Sequence, residues 1–158
     1  MIEVGDQAPE FTAPSAADGV ESFELSNRLD DAPVVLAFFP AAFTGTCRSE
    51  LCTFQDQLSG FEDVGATVYG ISVDSPFALD EFRDQNDLSF ELVSDFEKDI
   101  IEDYDVRTDF AELGVHGVAK RAVFVVDGDG EVTYRWVSDD LGVEPDYDAV
   151  REAAAEAE

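Results

Sequence analysis

Cys47 and Cys52 are the only thiols of the chain. They lie five residues apart in "PAAFTGTCRSELC", directly after the apolar run "VVLAFF". Leu51, Phe54, Gln55 and Leu58 follow helical spacing, which predicts a helix over 46–60 with Gly60 as its end. Cys47 then falls in the first turn, where unpaired backbone N–H groups and the helix dipole favour an anion. A neighbouring arginine favours a thiolate in the same way, and Arg48 is the next residue. Thr44, three residues before Cys47, offers a hydroxyl to the sulfur or to a bound substrate. Pro40 has no N–H and can shape and shield a pocket. Such a set suits a nucleophilic or redox-active sulfur.

The spacing separates several chemistries. In an ideal helix a five-residue step rises about 7.5 Å and turns about 140°. The two Cα atoms are then roughly 8.6 Å apart, against the limit of about 7 Å for a disulfide. The pair bonds only if the first turns unwind. Zinc needs four ligands of Cys and His type, and the chain holds two Cys and one His, so no metal is expected. His116 has no paired acid motif beside it and reads as a surface loop residue. "DGDGE" begins like a calcium loop, but Val132 stands at its sixth position and Ser138 at its twelfth, so it reads as a hairpin turn. Two small apolar thiols packed under a helix remain the plain alternative.

The elements that must position these residues follow from periodicity. "VVLAFF" (34–39) and "ATVYGISV" (66–73) are continuous apolar runs, as expected of strands buried on both faces. Residues 1–33 read as loops and a short hairpin. Ser75 and Pro76 are an N-cap and first residue of a helix. "FELVS" (90–94) is a short strand, and Asp95 caps a helix carrying Ile100, Ile101 and Tyr104. "RAVFVVD" and "EVTYRWVS" flank the turn, with Val132, Tyr134 and Trp136 on one core face. A helix with Pro145 near its start closes the chain. This alternation predicts an α/β domain over 1–158, with a central mixed β-sheet flanked by helices. Sites in such sheets lie beyond the carboxyl ends of the strands, which is where "PAAFTGTC" leaves the first apolar run.

With 37 Asp and Glu against 9 Lys and Arg, the net charge is -28. That argues against nucleic acid and anionic membranes as partners. The acid is spread along the chain and resembles that of cytosolic proteins from salt-loving archaea, so a high-salt cytoplasm is expected. No apolar run reaches membrane length and no basic-then-apolar leader precedes "MIEVGDQAPEF". A cytoplasmic location with reduced thiols is therefore expected.

"FFPAAFTGTCRSELC" resembles the active-site segment of the peroxiredoxins, whose pattern is Pro, three residues, Thr, two residues, Cys. Pro40, Thr44 and Cys47 match it, and Glu50 matches an acid often found three residues after that Cys. "KRAVFVVDGDG" resembles the segment carrying the family's later arginine, here Arg121. "EVGDQAPEFTAP" resembles the family's opening. The nearest subgroups are the one-Cys alkyl hydroperoxide reductase E type and the bacterioferritin-comigratory (Q) type, in which a resolving Cys sits five residues on, as Cys52 does.

The resemblance implies a thioredoxin-like fold and a peroxidase that needs no cofactor. Cys47 would be oxidised by a hydroperoxide to a sulfenic acid. Thr44 and Arg121 would hold the peroxide oxygens, and Pro40 would shield the product. Cys52 would resolve it, and a thioredoxin-like protein or small thiol would reduce the pair. Glu50 and Arg48 would play supporting parts, and a homodimer is possible through Phe43. The alternatives are a one-Cys peroxidase, a flavodoxin-like carrier using "TGT" as a phosphate loop, a thioredoxin-type disulfide oxidoreductase, and a non-catalytic domain.

Overall fold

The computed structural model describes residues 2–140 and 142–157. Its frame is a seven-stranded sheet built from β1 (Thr12–Ala17), β2 (Gly19–Glu24), β3 (Val34–Phe38), β4 (Thr67–Ser72), β5 (Leu92–Ser94), β8 (Arg121–Val126) and β9 (Val132–Ser138). The spatial order is β2-β1-β5-β4-β3-β8-β9. β3, β4 and β5 run parallel, while the β1–β2 hairpin and the β8–β9 hairpin add antiparallel strands at the two sides. The sheet is mixed, as the sequence leads one to expect.

Alternation along β3 divides the interior in two. Val35, Ala37 and Phe39 face a core shared with α1 (Gly45–Asp56), α2 (Leu58–Asp63), α3 (Pro76–Gln85) and α5 (Tyr147–Glu156). Val34, Leu36 and Phe38 face the other core, under α4 (Asp99–Asp103) and the N-terminal segment. There Tyr104 stacks edge-on with Phe124 at 5.3 Å and donates its hydroxyl to the Pro9 carbonyl at 2.8 Å.

Four readings change in detail. The helix expected over 46–60 is two helices, because the ladder breaks at Gln57. Gly60 does not end it; it lies within α2, where a Cβ would stand 3.3 Å from the Arg151 side chain. The stop is Gly65, whose φ of 76° is left-handed. Asp95 does cap α4, but from four residues upstream: its two oxygens accept from the N–H groups of Ile100 and Ile101 at 3.1 and 2.8 Å. The closing helix is capped by Asp146, which accepts from the Ala149 N–H at 3.1 Å, with Pro145 just outside it.

The fourth change concerns β9. A register shift beside Val126 puts Val132 in the core under α4, whereas Tyr134 and Trp136 pack, half-buried, on the opposite core. A bulge of one residue inverts the facing of everything beyond it. A separate two-stranded sheet, β6 (Arg107–Phe110) with β7 (Val115–Ala119), has no counterpart in the sequence reading. In the β8–β9 turn, the Asp127 carboxylate accepts from the N–H groups of Asp129 and Glu131, so it is spent on the turn.

Most of the few cations are tied down. Arg28 pairs with Glu91, Arg107 with Glu102, Lys120 with Asp139 and Arg151 with Asp148. Arg83 donates to the carbonyls of Ala17, Ser89 and Phe90, and Lys98 to that of His116. No helix among the described residues is long and apolar enough to cross a membrane.

Candidate active site around Cys47

The chain leaves β3 at Phe38 and passes through a short loop into α1. Asp74 fixes that loop from the end of the neighbouring strand. Its Oδ2 accepts from the Ala42 N–H at 2.8 Å and from the Ser72 hydroxyl at 2.6 Å, and its carbonyl accepts from the Ser94 hydroxyl at 2.6 Å. Phe43 then takes a left-handed φ of 67° and lays its ring edge-on against Phe82 at 5.2 Å. Pro40 is buried beneath the loop.

Thr44 is the N-cap residue of α1 but makes no side-chain cap; its hydroxyl donates to the Ala41 carbonyl at 2.9 Å. With its proton committed there, the Thr44 hydroxyl is left as an acceptor and does not donate to the sulfur. The first turn of α1 carries no acid, so nothing there offsets the positive end of the helix dipole.

Cys47 is 1% exposed and sits in the first turn of α1, as the spacing predicts. Arg121 reaches it from the far strand. β8 runs antiparallel to β3, with Ala122 opposite Phe38. Arg121 is one residue further, at the edge where the Cys47 loop departs. Its Nη2 lies 3.4 Å from Cys47 Sγ, and its Nη1 lies 2.5 Å from Glu50 Oε1. Arg121 and Glu50 are 1% and 0% exposed. One guanidinium thus spans a sulfur and a carboxylate inside the protein.

Glu50 is pushed up to about 7. Burial is the main cause, the Arg121 charge and hydrogen bond oppose it, and the Glu144 charge adds to it. Its second oxygen, Oε2, is buried without a hydrogen-bond partner. Tyr147, on α5, is held up by burial, by its 2.6 Å bond to Glu144 and by the Glu50 charge. Neither Glu144 nor Tyr147 is marked by sequence alone, and neither is Asp74. All three act across long stretches of chain.

Cys52 lies apart from this cluster. It is half-buried, and its Sγ is 3.8 Å from Asn86 Oδ1 at the end of α3. Burial pushes its thiol up, as does the Asp56 charge, while Arg48 pulls the other way. Arg48 itself is exposed, so its influence falls on Cys52. His116 is exposed, with Nδ1 3.7 Å from Asp109 Oδ1, on β7. The structure therefore brings together Cys47, Glu50 and Arg121, with buried Pro40 and exposed Thr44 in the loop that leads into α1.

This arrangement has relatives. The AhpC/TSA family matches residues 4–135. A chloroplastic 2-cysteine peroxiredoxin of Chattonella marina var. antiqua is 36% identical over 145 residues, which is 87% of this chain and 71% of that protein. A Coxiella burnetii protein described as a peroxiredoxin, bcp, is 36% identical over 85% of this chain and 88% of its own. Among solved structures, peroxidoxin BcpB from Mycobacterium tuberculosis superposes with a TM-score of 0.86 at 29% identity, covering 100% of this chain and 99% of that one. The mitochondrial 2-cys peroxiredoxin from Plasmodium falciparum gives 0.84 at 27% identity, over 98% and 93%. The architecture is the thioredoxin-like one that the sequence motifs imply. The "TGT" stretch opens the helix that carries Cys47, within the matched region, and the flavin-carrier reading is set aside.

Proposed function

The chain belongs to the AhpC/TSA family of peroxiredoxins, thiol-dependent peroxidases, and from that premise we propose that Cys47 is the sulfur that peroxide oxidises. The observation that carries this assignment is the guanidinium of Arg121, fixed at 3.4 Å from Cys47 Sγ in a buried setting. A cation held there favours the thiolate and stabilises charge moving onto the departing oxygen.

The Cys47 thiolate attacks one oxygen of the O–O bond. A sulfur–oxygen bond forms, the O–O bond breaks, and the second oxygen leaves as hydroxide or alkoxide and takes a proton. Thr44, as an acceptor, orients the hydroperoxide O–H, and Pro40 limits access of a second peroxide to the sulfenic acid. The Cys52 thiol then displaces water from that acid and closes a disulfide, which a dithiol reductant of thioredoxin type or a small thiol reopens by exchange. On an intact α1 the two Cα atoms are roughly 8.6 Å apart, so closure requires the first turns of α1 to unwind. Unwinding also frees Cys52 from the burial that keeps it protonated.

A one-Cys cycle with an outside thiol is the second reading, favoured by the packing of Cys52 against Asn86, away from Arg121. Intact mass and thiol count on reduced protein, before and after one equivalent of hydrogen peroxide, separate the two. Loss of both thiols with two hydrogens supports resolution by Cys52. Gain of one oxygen with one thiol left supports the one-Cys cycle. No change refutes the role of Cys47.

The likeness to the Coxiella burnetii bcp protein and to BcpB supports the Q type, and the acidic composition supports a protein adapted to a high-salt cytoplasm. Phe43, 45% accessible at the loop before α1, offers an apolar contact for a homodimer.

A further inference from the structure

We propose that Cys47 and Glu50 carry a single negative charge between them through Arg121, and that Glu50 gives up its proton when the sulfur loses its charge to peroxide. This rests on Cys47 being the peroxide-reacting sulfur. Glu50 is then a positioning and charge-balancing residue, acting through the arginine and not on the substrate.

The geometry requires some such arrangement. Cys47, Glu50 and Arg121 are each 1% exposed or less. A thiolate and a carboxylate together around one guanidinium leave a net buried charge, and buried charge is costly unless paired. Keeping the carboxyl protonated while the sulfur is ionised makes the trio neutral. Glu50 Oε2 is buried with no partner, which costs less for a neutral acid than for half of a carboxylate. The other ionisable groups facing Glu50 push the same way. Glu144, from the segment before α5, contributes a negative charge, and Tyr147 of α5 spends its proton on Glu144. Against the opposing pull of Arg121, burial with the Glu144 charge holds Glu50 at about 7.

Oxidation removes the reason for the proton. The thiolate and hydrogen peroxide give a neutral sulfenic acid and hydroxide. Hydroxide takes one proton and becomes water. Glu50 releases one proton and becomes a carboxylate, now the sole anionic partner of Arg121 in the trio. The site exchanges no net proton with solvent, and its charge is the same before and after. One anion at a time, first the thiolate and then the Glu50 carboxylate, therefore holds Arg121 in place through the whole step.

The test uses the full chain carrying Cys52→Ser, so that oxidation stops at the sulfenic acid. Reduced protein at pH 6 in weak buffer receives one equivalent of hydrogen peroxide. Proton uptake is read with an indicator dye, and the infrared difference spectrum reads the protonated carboxyl C=O band. The expected result is almost no proton uptake, with loss of a carboxyl band on oxidation. In the same background Glu50→Gln should lack the band and take up about one proton per sulfenic acid. Glu50→Asp, which keeps an acid but moves the band, secures the assignment if the glutamine variant does not fold. A carboxyl band that is missing at the start or unchanged by oxidation overturns the proposal. Intact mass on the same samples keeps the two readings apart, since failure to gain an oxygen refutes Cys47 itself.

Discussion

Glu50→Gln should make the protein more stable relative to its parent as pH rises, and the size follows from burial. The comparison is made in a Cys47→Ser background, so that no thiol titrates beside Arg121. Glutamine keeps the shape of the side chain and an acceptor for Arg121 but cannot ionise. In the unfolded chain Glu50 has its ordinary value of 4.5, and in the folded protein burial raises it to about 7. A raised carboxyl favours the fold while both states hold the proton. That advantage drains away once the unfolded chain ionises and the folded one does not. The loss begins near pH 4.5 and ends near pH 7. At 1.36 kcal/mol for each unit between the two values, the full swing is roughly 3 kcal/mol.

Urea unfolding at pH 5, 6, 7 and 8 samples most of it, away from the sequence pI near 4.1 where the protein is least soluble. The variant should gain roughly 2 to 3 kcal/mol on its parent across that range, with the gain flattening above pH 7. A difference that stays constant with pH would refute the reasoning. It would mean that Glu50 is ionised throughout and that Arg121 outweighs burial.

Two further outcomes follow from the same structure. Arg121→Lys keeps a positive charge but loses the fork that reaches Cys47 and Glu50 together; the rate constant for hydrogen peroxide, by stopped-flow, should fall about 10²- to 10³-fold, and an unchanged rate would remove Arg121 from the chemistry. With a net charge of -28, the melting temperature should climb as KCl rises, because molar salt shortens the Debye length to about 3 Å; a flat or falling curve would refute the high-salt adaptation.

The parts of the fold legible in the sequence are those fixed by local pattern. "VVLAFF" and "ATVYGISV" are buried on both faces and read as such, and Ser75 with Pro76 marks the start of α3, where the Ser75 hydroxyl accepts from the Ala78 N–H. What escaped was set by partners distant in the chain. β6 and β7 mix polar and apolar residues without alternation, and they are held by Asp109 accepting from the Gly117 N–H and by Lys98 donating to the His116 carbonyl. The bulge that turns Val132 away from Tyr134 leaves no mark on composition. Within the site, Cys47 at the helix start was readable from spacing. Arg121 stood out only through its likeness to a family segment, since its partners Cys47 and Glu50 lie 74 and 71 positions away. Asp74 reads as one more surface acid until Ala42 is seen to donate to it across 32 positions.

On the proposed cycle, the tied-down cations should also give its two halves different kinetics. Arg28, Arg83, Lys98, Arg107, Lys120 and Arg151 each already grip a carboxylate or a carbonyl. The outer field is therefore almost wholly negative. A neutral peroxide crosses it without work, so the oxidative half should run at a rate indifferent to ionic strength. An acidic reductant must approach against that field, and its encounter rate rises as salt screens the repulsion. With such a reductant, ionic strength should act as a throttle on recovery alone. In dilute buffer the enzyme would pile up in its oxidised form, and in brine it would turn over freely, with no change at the sulfur itself.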